Sequence, residues 1–226
     1  MAKHGKRWTT DLSKATPDTR LKLDEAVKQL KQFTVTKFDQ TVDLCVHLGI
    51  DPKHADQLVR GSVSLPHGTG KARRVICFCP ADKAEAAKGA GAIEAGGEEL
   101  VKKITDGWME FDVAVASPDM MRFVGKLGKQ LGPRGLMPSP KAGTVTPDVA
   151  TAVKEYAAGK VNFKNDAGGN VHASIGKLSF SEQKLLENAQ AFLDLIEKMK
   201  PASTKGTYLK KASISGTMTP GVLLEV

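Results

Sequence analysis

Two kinds of β-strand are written into this chain, and they need different surroundings. Thr41–Leu48 (TVDLCVHL) alternates strictly, with Val42, Leu44, Val46 and Leu48 on one side and Thr41, Asp43, Cys45 and His47 on the other. A period of two with one apolar side requires a sheet that is covered on one face and open on the other. Arg73–Cys79 and Phe111–Ala116 are instead nearly continuous apolar runs. Such runs belong to strands buried on both faces, as in a parallel sheet sandwiched between helices. One chain therefore carries the strands of two different architectures.

The order of the remaining segments separates them. Between and after the apolar strands lie an Ala-rich helix at Ala81–Lys88, a short strand at Ala92–Glu94 and a helix at Glu98–Thr105. A third helix follows at Pro118–Leu131, then a Gly/Pro-rich loop at Gly132–Gly143 and a last helix at Pro147–Ala158. Short buried strands alternating with helices predict a helix-covered α/β domain. The flanks differ. Thr16 caps and Pro17 opens a helix running to about Gln32, with Leu21, Leu23, Ala26, Val27 and Leu30 at helical spacing. Near the C-terminus, Ser179–Glu182 has capping-box spacing ahead of the stripe Leu185, Ala189, Phe192, Ile196 and Met199, which stops before Pro201. Strands are expected at Val161–Lys164, Val171–Ile175, Thr207–Ser215 and Val222–Glu225. Neither flank alone can cover its sheet, so residues 1–66 and 160–226 are expected to form one discontinuous domain. Residues 67–159 form the insertion, and the two crossings form a hinge.

Hydrophobic residues at 41% and charged residues at 26% suffice for real cores and exclude a disordered chain. The net charge of +8 divides as +3 in Met1–Leu65, +2 in Pro66–Gly159 and +3 in Lys160–Val226. An anionic partner is indicated without being specified. No apolar run approaches the roughly 18 residues of a membrane span, and the basic N-terminus lacks the apolar region of a secretory signal. Three cysteines argue against a disulfide framework and for a reducing, cytoplasmic compartment.

An inserted α/β domain invites a nucleotide-enzyme reading, but the motifs are missing. A P-loop needs Gly-Lys followed by Ser or Thr; the residues after the six Gly-Lys pairs are Arg7, Ala72, Leu127, Gln130, Val161 and Leu178. Gly89-Ala90-Gly91 opens a dinucleotide fingerprint that Glu94 then breaks. Cys77 and Cys79 share one face of a strand and Cys45 is alone, so no metal set is read and the thiols are assigned to packing. His47 and His54 lack the spacing of a ligand pair, and no nucleophile elbow occurs. No catalytic residue, cofactor or metal is expected.

Lys37, Thr41, Asn162, Lys164, His172 and Ser174 all fall on open strand faces, and Phe38 stands at a strand entrance. Gly216–Gly221 (GTMTPG) puts Thr217 and Met218 on a Gly/Pro-bounded turn. Hydroxyls, amides and lysines suit the 2′-hydroxyl and backbone contacts by which RNA shape is recognised. With aromatics at only 5%, the base-stacking platform of an RNA-recognition motif is absent.

Four blocks, in order, carry a resemblance: Lys37–Lys71, Gly125–Asp148, Val161–Phe180 and Lys205–Gly221. Through them nearly the whole chain resembles the bacterial ribosomal protein L-one family, the protein of the mobile side stalk of the large subunit. That resemblance implies an open-sheet split β-α-β domain built from both termini, with an inserted Rossmann-like three-layer α/β domain. It implies an RNA site using Lys37, Phe38 and Thr41, then Lys164, His172, Ser174 and Gly176, then Gly216, Thr217 and Met218. Weaker contacts with rRNA or exit-site tRNA would come from Arg134 and Lys141. The implied partners are 23S rRNA, E-site tRNA, the protein's own operon mRNA and the large ribosomal subunit, with a monomer when free and no membrane. The implied functions are ribosomal structure, release of deacylated tRNA and repression of its own messenger. The alternative is an RNA-binding translational regulator acting off the ribosome. Cys45, Cys77 and Cys79 match no motif position of the family.

Overall fold

The computed structural model describes residues 5–15, 19–54 and 56–225, the Lys141 side chain excepted. Two compact units divide the chain: Met1–Gly70 with Val161–Val226, and Lys71–Lys160.

The first unit is organised on the alternating strand. β1 (Thr41–Leu48) is half-buried and buried by turns along its whole length. It sits inside a four-stranded antiparallel sheet between β7 (Asn170–Lys177) and β8 (Leu209–Gly216), and β9 (Val222–Leu224) pairs with β8 at the edge. Helices α2 (Leu23–Lys31) and α8 (Glu182–Lys198) pack on one face. The core there joins Val42, Leu44 and Val46 of β1 to Val27 and Leu30 of α2 and to Leu185, Ala189, Phe192 and Ile196 of α8. The α8 stripe is thus the one the spacing foretold, and among the described residues both α2 and α8 pack on the same face of the sheet. β2 (Arg60–Val63) and β6 (Val161–Lys164) make a separate antiparallel ribbon, joined toward β7 by the Asn165–Val171 bridge. Phe163 of this ribbon meets Phe192 edge-on at 5.4 Å.

Several local expectations are corrected. The first long helix begins at Leu23, not Pro17. Leu21, counted in its apolar stripe, is instead pinned to the sheet edge: its N–H donates to Leu223 O at 3.0 Å and its carbonyl accepts from Glu225 N at 2.9 Å. The expected Thr16 cap and Pro17 lie outside the described residues. A further helix, α1 (Lys6–Lys14), precedes it. Its buried residue is Asp11, whose Oδ1 accepts from the Thr34 amide (2.9 Å) and hydroxyl (2.6 Å). The cap of α8 is Ser181, whose Oγ accepts from Lys184 N; Ser179 turns away to bond Asp39. The strand β2 had no sequence signal, because its four residues RGSV contain one large apolar side chain.

The crossing stretch after Pro66, assigned from sequence to the insertion, is held on the first unit as far as Gly70. The reason is Asn188, a fully buried amide on α8. Its Oδ1 accepts from His67 N at 3.1 Å, and its Nδ2 donates to Gly68 O (3.0 Å) and Ile175 O (2.7 Å). Gly70 itself, at φ +73°, lies where a Cβ would press on Phe180 at 2.9 Å.

The second unit has the expected α/β character. β3 (Val75–Phe78) is the middle of a parallel sheet flanked by β4 (Glu94–Gly96) and β5 (Val113–Ala116). Val75 and Cys77, with Cys79 beyond the strand, pack toward α3 (Ala81–Gly89) and α7 (Val149–Ala157). Ile76 and Phe78 pack toward α4 (Glu98–Thr105) and the segment 118–131. The sheet is therefore covered on both faces, which is why its strands carry no alternation. The single helix expected at Pro118–Leu131 is broken into short turns, with α5 (Met121–Val124) and α6 (Gly128–Leu131) separated by a 3₁₀ turn. Gly125 and Gly128 stand at the breaks, where weak helix propensity lets the path bend while Val124, Leu127 and Leu131 stay buried.

Candidate nucleic-acid interface

The open face of the four-stranded sheet follows from β1. Thr41, Asp43, Cys45 and His47 project from it, and the register sets a neighbour on each side. Thr41 faces Lys177, Asp43 lies between Ser174 and Ser215, Cys45 between His172 and Ser213, and His47 between Asn170 and Lys211. A bulge between Val42 and Asp43 leaves Ile175 unpaired on β7. That extra residue keeps both Ser174 and Lys177 on the open side although they are three apart. The side chains on this face engage one another: Ser174 Oγ donates to Asp43 Oδ1 at 2.7 Å, and Lys177 Nζ to Thr41 Oγ1 at 2.8 Å.

One end of this face is closed by the turn between β8 and β9. Thr217 continues the ladder beyond Gly216. Its amide donates to Thr41 O at 3.0 Å, while its Oγ1 accepts from Thr41 N at 3.1 Å. Met218 follows, 46% exposed, and Phe38 before β1 is 52% exposed. Two large apolar side chains thus stand in water on either flank of a hydrogen-bonded polar corner. Lys37 is exposed beside Phe38.

At the other end, Asp166 organises the β6–β7 turn. Its Oδ1 accepts from Gly168 N (2.8 Å) and Asn170 N (2.7 Å), and its Oδ2 from Asn170 Nδ2 (3.0 Å). The Asn170 side-chain and backbone bonds draw its pKa down to about 2. His172 Nε2 lies 3.6 Å from the same carboxylate. Burial pushes the Cys45 thiol up, with the Asp166 charge adding to it, so Cys45 on this face is a neutral group. Cys77 and Cys79 are fully buried in the second unit, and burial raises both.

The sequence-expected residues fall into four groups. Thr41, His172, Ser174, Thr217 and Met218 share the open sheet and its closing turn, with Lys37 and Phe38 at its entrance. Lys164 is exposed but belongs to the ribbon, paired with Arg60, and Asn162 lies there too, paired with Ser62. Gly176 and Gly216 are buried. A Cβ on Gly176 would meet Leu185 and Phe180 at 3.0 Å, and one on Gly216 would meet Gln40 Oε1 and Thr219 Oγ1 at 3.1 Å. These glycines shape the site from beneath rather than offering a surface. Arg134 is exposed in the second unit, beside Gly135 at φ +70°. Lys141 sits in the 3₁₀ turn Pro140–Ala142, and its side chain lies outside the described residues.

Sequence reasoning overlooked Lys177, Ser213 and Ser215. Continuing the alternation of β8 would have found the two serines. Lys177 is hidden by the bulge, which breaks the period. Among the described residues, no group of three or more His, Cys, Asp or Glu is arranged to hold a metal ion, and no helix is long and apolar enough to cross a membrane.

Comparison with known proteins adds three findings. Residues 30–220 match the family model described as Ribosomal protein L1p/L10e family. The chain is 52% identical over 221 residues to the "Large ribosomal subunit protein uL1" of Nitratidesulfovibrio vulgaris, covering 98% of this chain and 94% of that relative. It is 50% identical over 225 residues to the protein of the same description from Maridesulfovibrio salexigens, covering 100% of this chain and 96% of that relative.

Proposed function

The chain belongs to the Ribosomal protein L1p/L10e family, and from that premise we propose that it binds 23S rRNA through the open sheet face and the Thr217–Met218 turn. Proteins of this family are structural, non-enzymatic constituents of the large ribosomal subunit, with their place in translation. The finer reading concerns how this member does its work.

What carries the proposal is the exposed pair Phe38 and Met218 flanking a corner whose backbone groups are already hydrogen-bonded. Apolar side chains of that size gain by being covered, and a rigid corner loses little entropy when they are. The neighbouring Thr41, Ser174 and His172 present hydroxyl and imidazole groups suited to ribose and phosphate oxygens. Lys37, Lys164 and Lys177 supply positive charge for the backbone. In this reading recognition is by shape and a few covered contacts, with no base-stacking platform.

Two consequences of the reading extend it. On the side stalk of the subunit, the protein assists departure of deacylated tRNA from the E site, with Arg134 and Lys141 of the second unit as secondary contacts. A messenger segment shaped like the rRNA target would occupy the same face, so the protein represses its own operon mRNA in the cytoplasm when rRNA is scarce. The test is filter binding of the native protein to the stalk segment of 23S rRNA at fixed salt, with and without a competing leader mRNA. Thr217→Val should weaken binding by about 1–3 kcal/mol, the cost of leaving a covered partner unpaired. Equal dissociation constants for Thr217→Val and wild type would remove Thr217 from the site. Failure of leader mRNA to compete would remove the repressor role.

A further inference from the structure

We propose that Gln40, a residue shut away from solvent, is the positioning residue that holds the Met218 turn in its RNA-ready shape. This rests on the reading of the turn as an RNA contact. Gln40 is 1% exposed and lies one residue before β1. Its main-chain carbonyl accepts from Leu178 N at 2.8 Å, which anchors it to the chain leaving β7. Its side chain reaches the other way, where Oε1 accepts from Met218 N at 2.9 Å.

The amides of the turn can be accounted for one by one. Gly216 N donates to Thr219 Oγ1 (2.8 Å), Thr217 N to Thr41 O (3.0 Å), Met218 N to Gln40 Oε1 (2.9 Å) and Thr219 N to Gly216 O (3.3 Å). Two of the four bonds are internal to the turn. The other two reach outward, and both end on the consecutive residues Gln40 and Thr41. Thr41 holds Thr217 through its main-chain carbonyl, along the sheet ladder, and Gln40 holds Met218 through its buried side chain.

Two features argue that the Gln40 amide is retained for this bond and not for packing. Its Nε2 is buried and has no partner among the described residues. A buried unpaired donor is costly, so a residue needed only to fill space would be apolar. The position of Gly216 agrees. A Cβ there would stand 3.1 Å from Gln40 Oε1, so a side chain at 216 would crowd the oxygen that Met218 N–H reaches. Gln40 therefore acts through the turn without touching RNA, by lowering the ordering cost of binding.

The measurement combines amide hydrogen exchange at Met218 with rRNA dissociation kinetics. Gln40→Met keeps the length and apolar volume but removes the acceptor. It should speed Met218 exchange and raise the rRNA dissociation constant about ten-fold, the worth of one net hydrogen bond, while the urea midpoint of the first unit falls by no more than about 0.5 M, so that the protein stays fully folded in the binding assay. Gln40→Glu, in mildly acidic buffer where burial keeps the acid neutral, retains a carbonyl acceptor and puts a hydroxyl in place of the unpartnered Nε2; it should restore both readouts to within about three-fold of wild type. Should Gln40→Met not fold, Gln40→Asn retracts the acceptor by one methylene and should reproduce its effects. Unchanged Met218 exchange in the acceptor-deficient variant, or faster exchange with unaltered RNA affinity, would overturn the proposal. So would a loss of binding that merely tracks a loss of stability. The exchange arm needs no RNA, so a wild-type protein that bound no rRNA would defeat the RNA reading while exchange still judged Gln40.

Discussion

Asn188 offers the sharpest test of how the first unit is held together. Its amide makes three hydrogen bonds to main-chain groups: His67 N–H, Gly68 C=O and Ile175 C=O. Asn188 is 0% exposed, so water cannot simply substitute. Replacing it by alanine removes all three bonds. At a net value of about 1 kcal/mol each, the first unit should lose about 3 kcal/mol. With a urea slope of about 2 kcal/mol/M, its midpoint should fall by about 1.5 M. The two tryptophans make this measurable unit by unit, because Trp8 lies in the first unit and Trp108 in the second. In a Trp108→Phe background, Trp8 fluorescence follows the first unit alone. Asn188→Leu separates causes, since it restores volume without restoring a bond. If hydrogen bonding dominates, leucine should be as damaging as alanine. A fall below about 0.5 M for alanine, or full recovery with leucine, would refute the reasoning and make Asn188 an ordinary packing position.

Gly176→Ala should cost the first unit about 1–3 kcal/mol through overpacking against Leu185 and Phe180, read by the same fluorescence assay, while the folded fraction keeps its rRNA affinity. Lys37→Gln and Lys164→Gln should each flatten the salt dependence of rRNA binding by roughly one unit; titrations at several salt concentrations check this, and wild-type slopes would leave both as solvated lysines. Asp166 has a folded pKa of about 2 against an ordinary 3.8, so its contribution to stability is present above 3.8 and is lost as pH falls toward 2. Carboxyl NMR should show that titration, and Asp166→Asn should lack this part of the acid limb.

Much of the fold could be read along the chain because its signals are local. The strict alternation of Thr41–Leu48 needs only the pleat of a strand and one apolar phase, and the burial pattern of β1 repeats it residue for residue. The apolar runs at 75–78 and 113–116 similarly announce strands covered on both faces. Thr41, His172 and Ser174 were legible as candidates because they lie in phase with the alternating strands, and Thr217 because it stands in a Gly/Pro-bounded turn. Where expectation failed, the deciding contact came from far along the chain. Leu21 has the spacing of a helix residue but pairs with residues around 224, which ends the helical phase before it begins. Ser179 has capping-box spacing but finds Asp39, 140 residues away in sequence.

By itself, then, the sequence determined the two kinds of sheet, the apolar faces of β1 and α8, and, through four blocks of residues, the family. Those depend on side-chain periodicity and residue identity, which are properties of consecutive positions. Only the tertiary structure decided which polar residues stand together. The bulge at Ile175 puts Lys177 beside Thr41, Gly176 and Gly216 turn inward, Lys164 pairs with Arg60 on a separate ribbon, and Gln40 reaches Met218 across 178 positions of chain. Pairing register is set by the summed packing and hydrogen bonding of whole strands, and no single segment carries that sum.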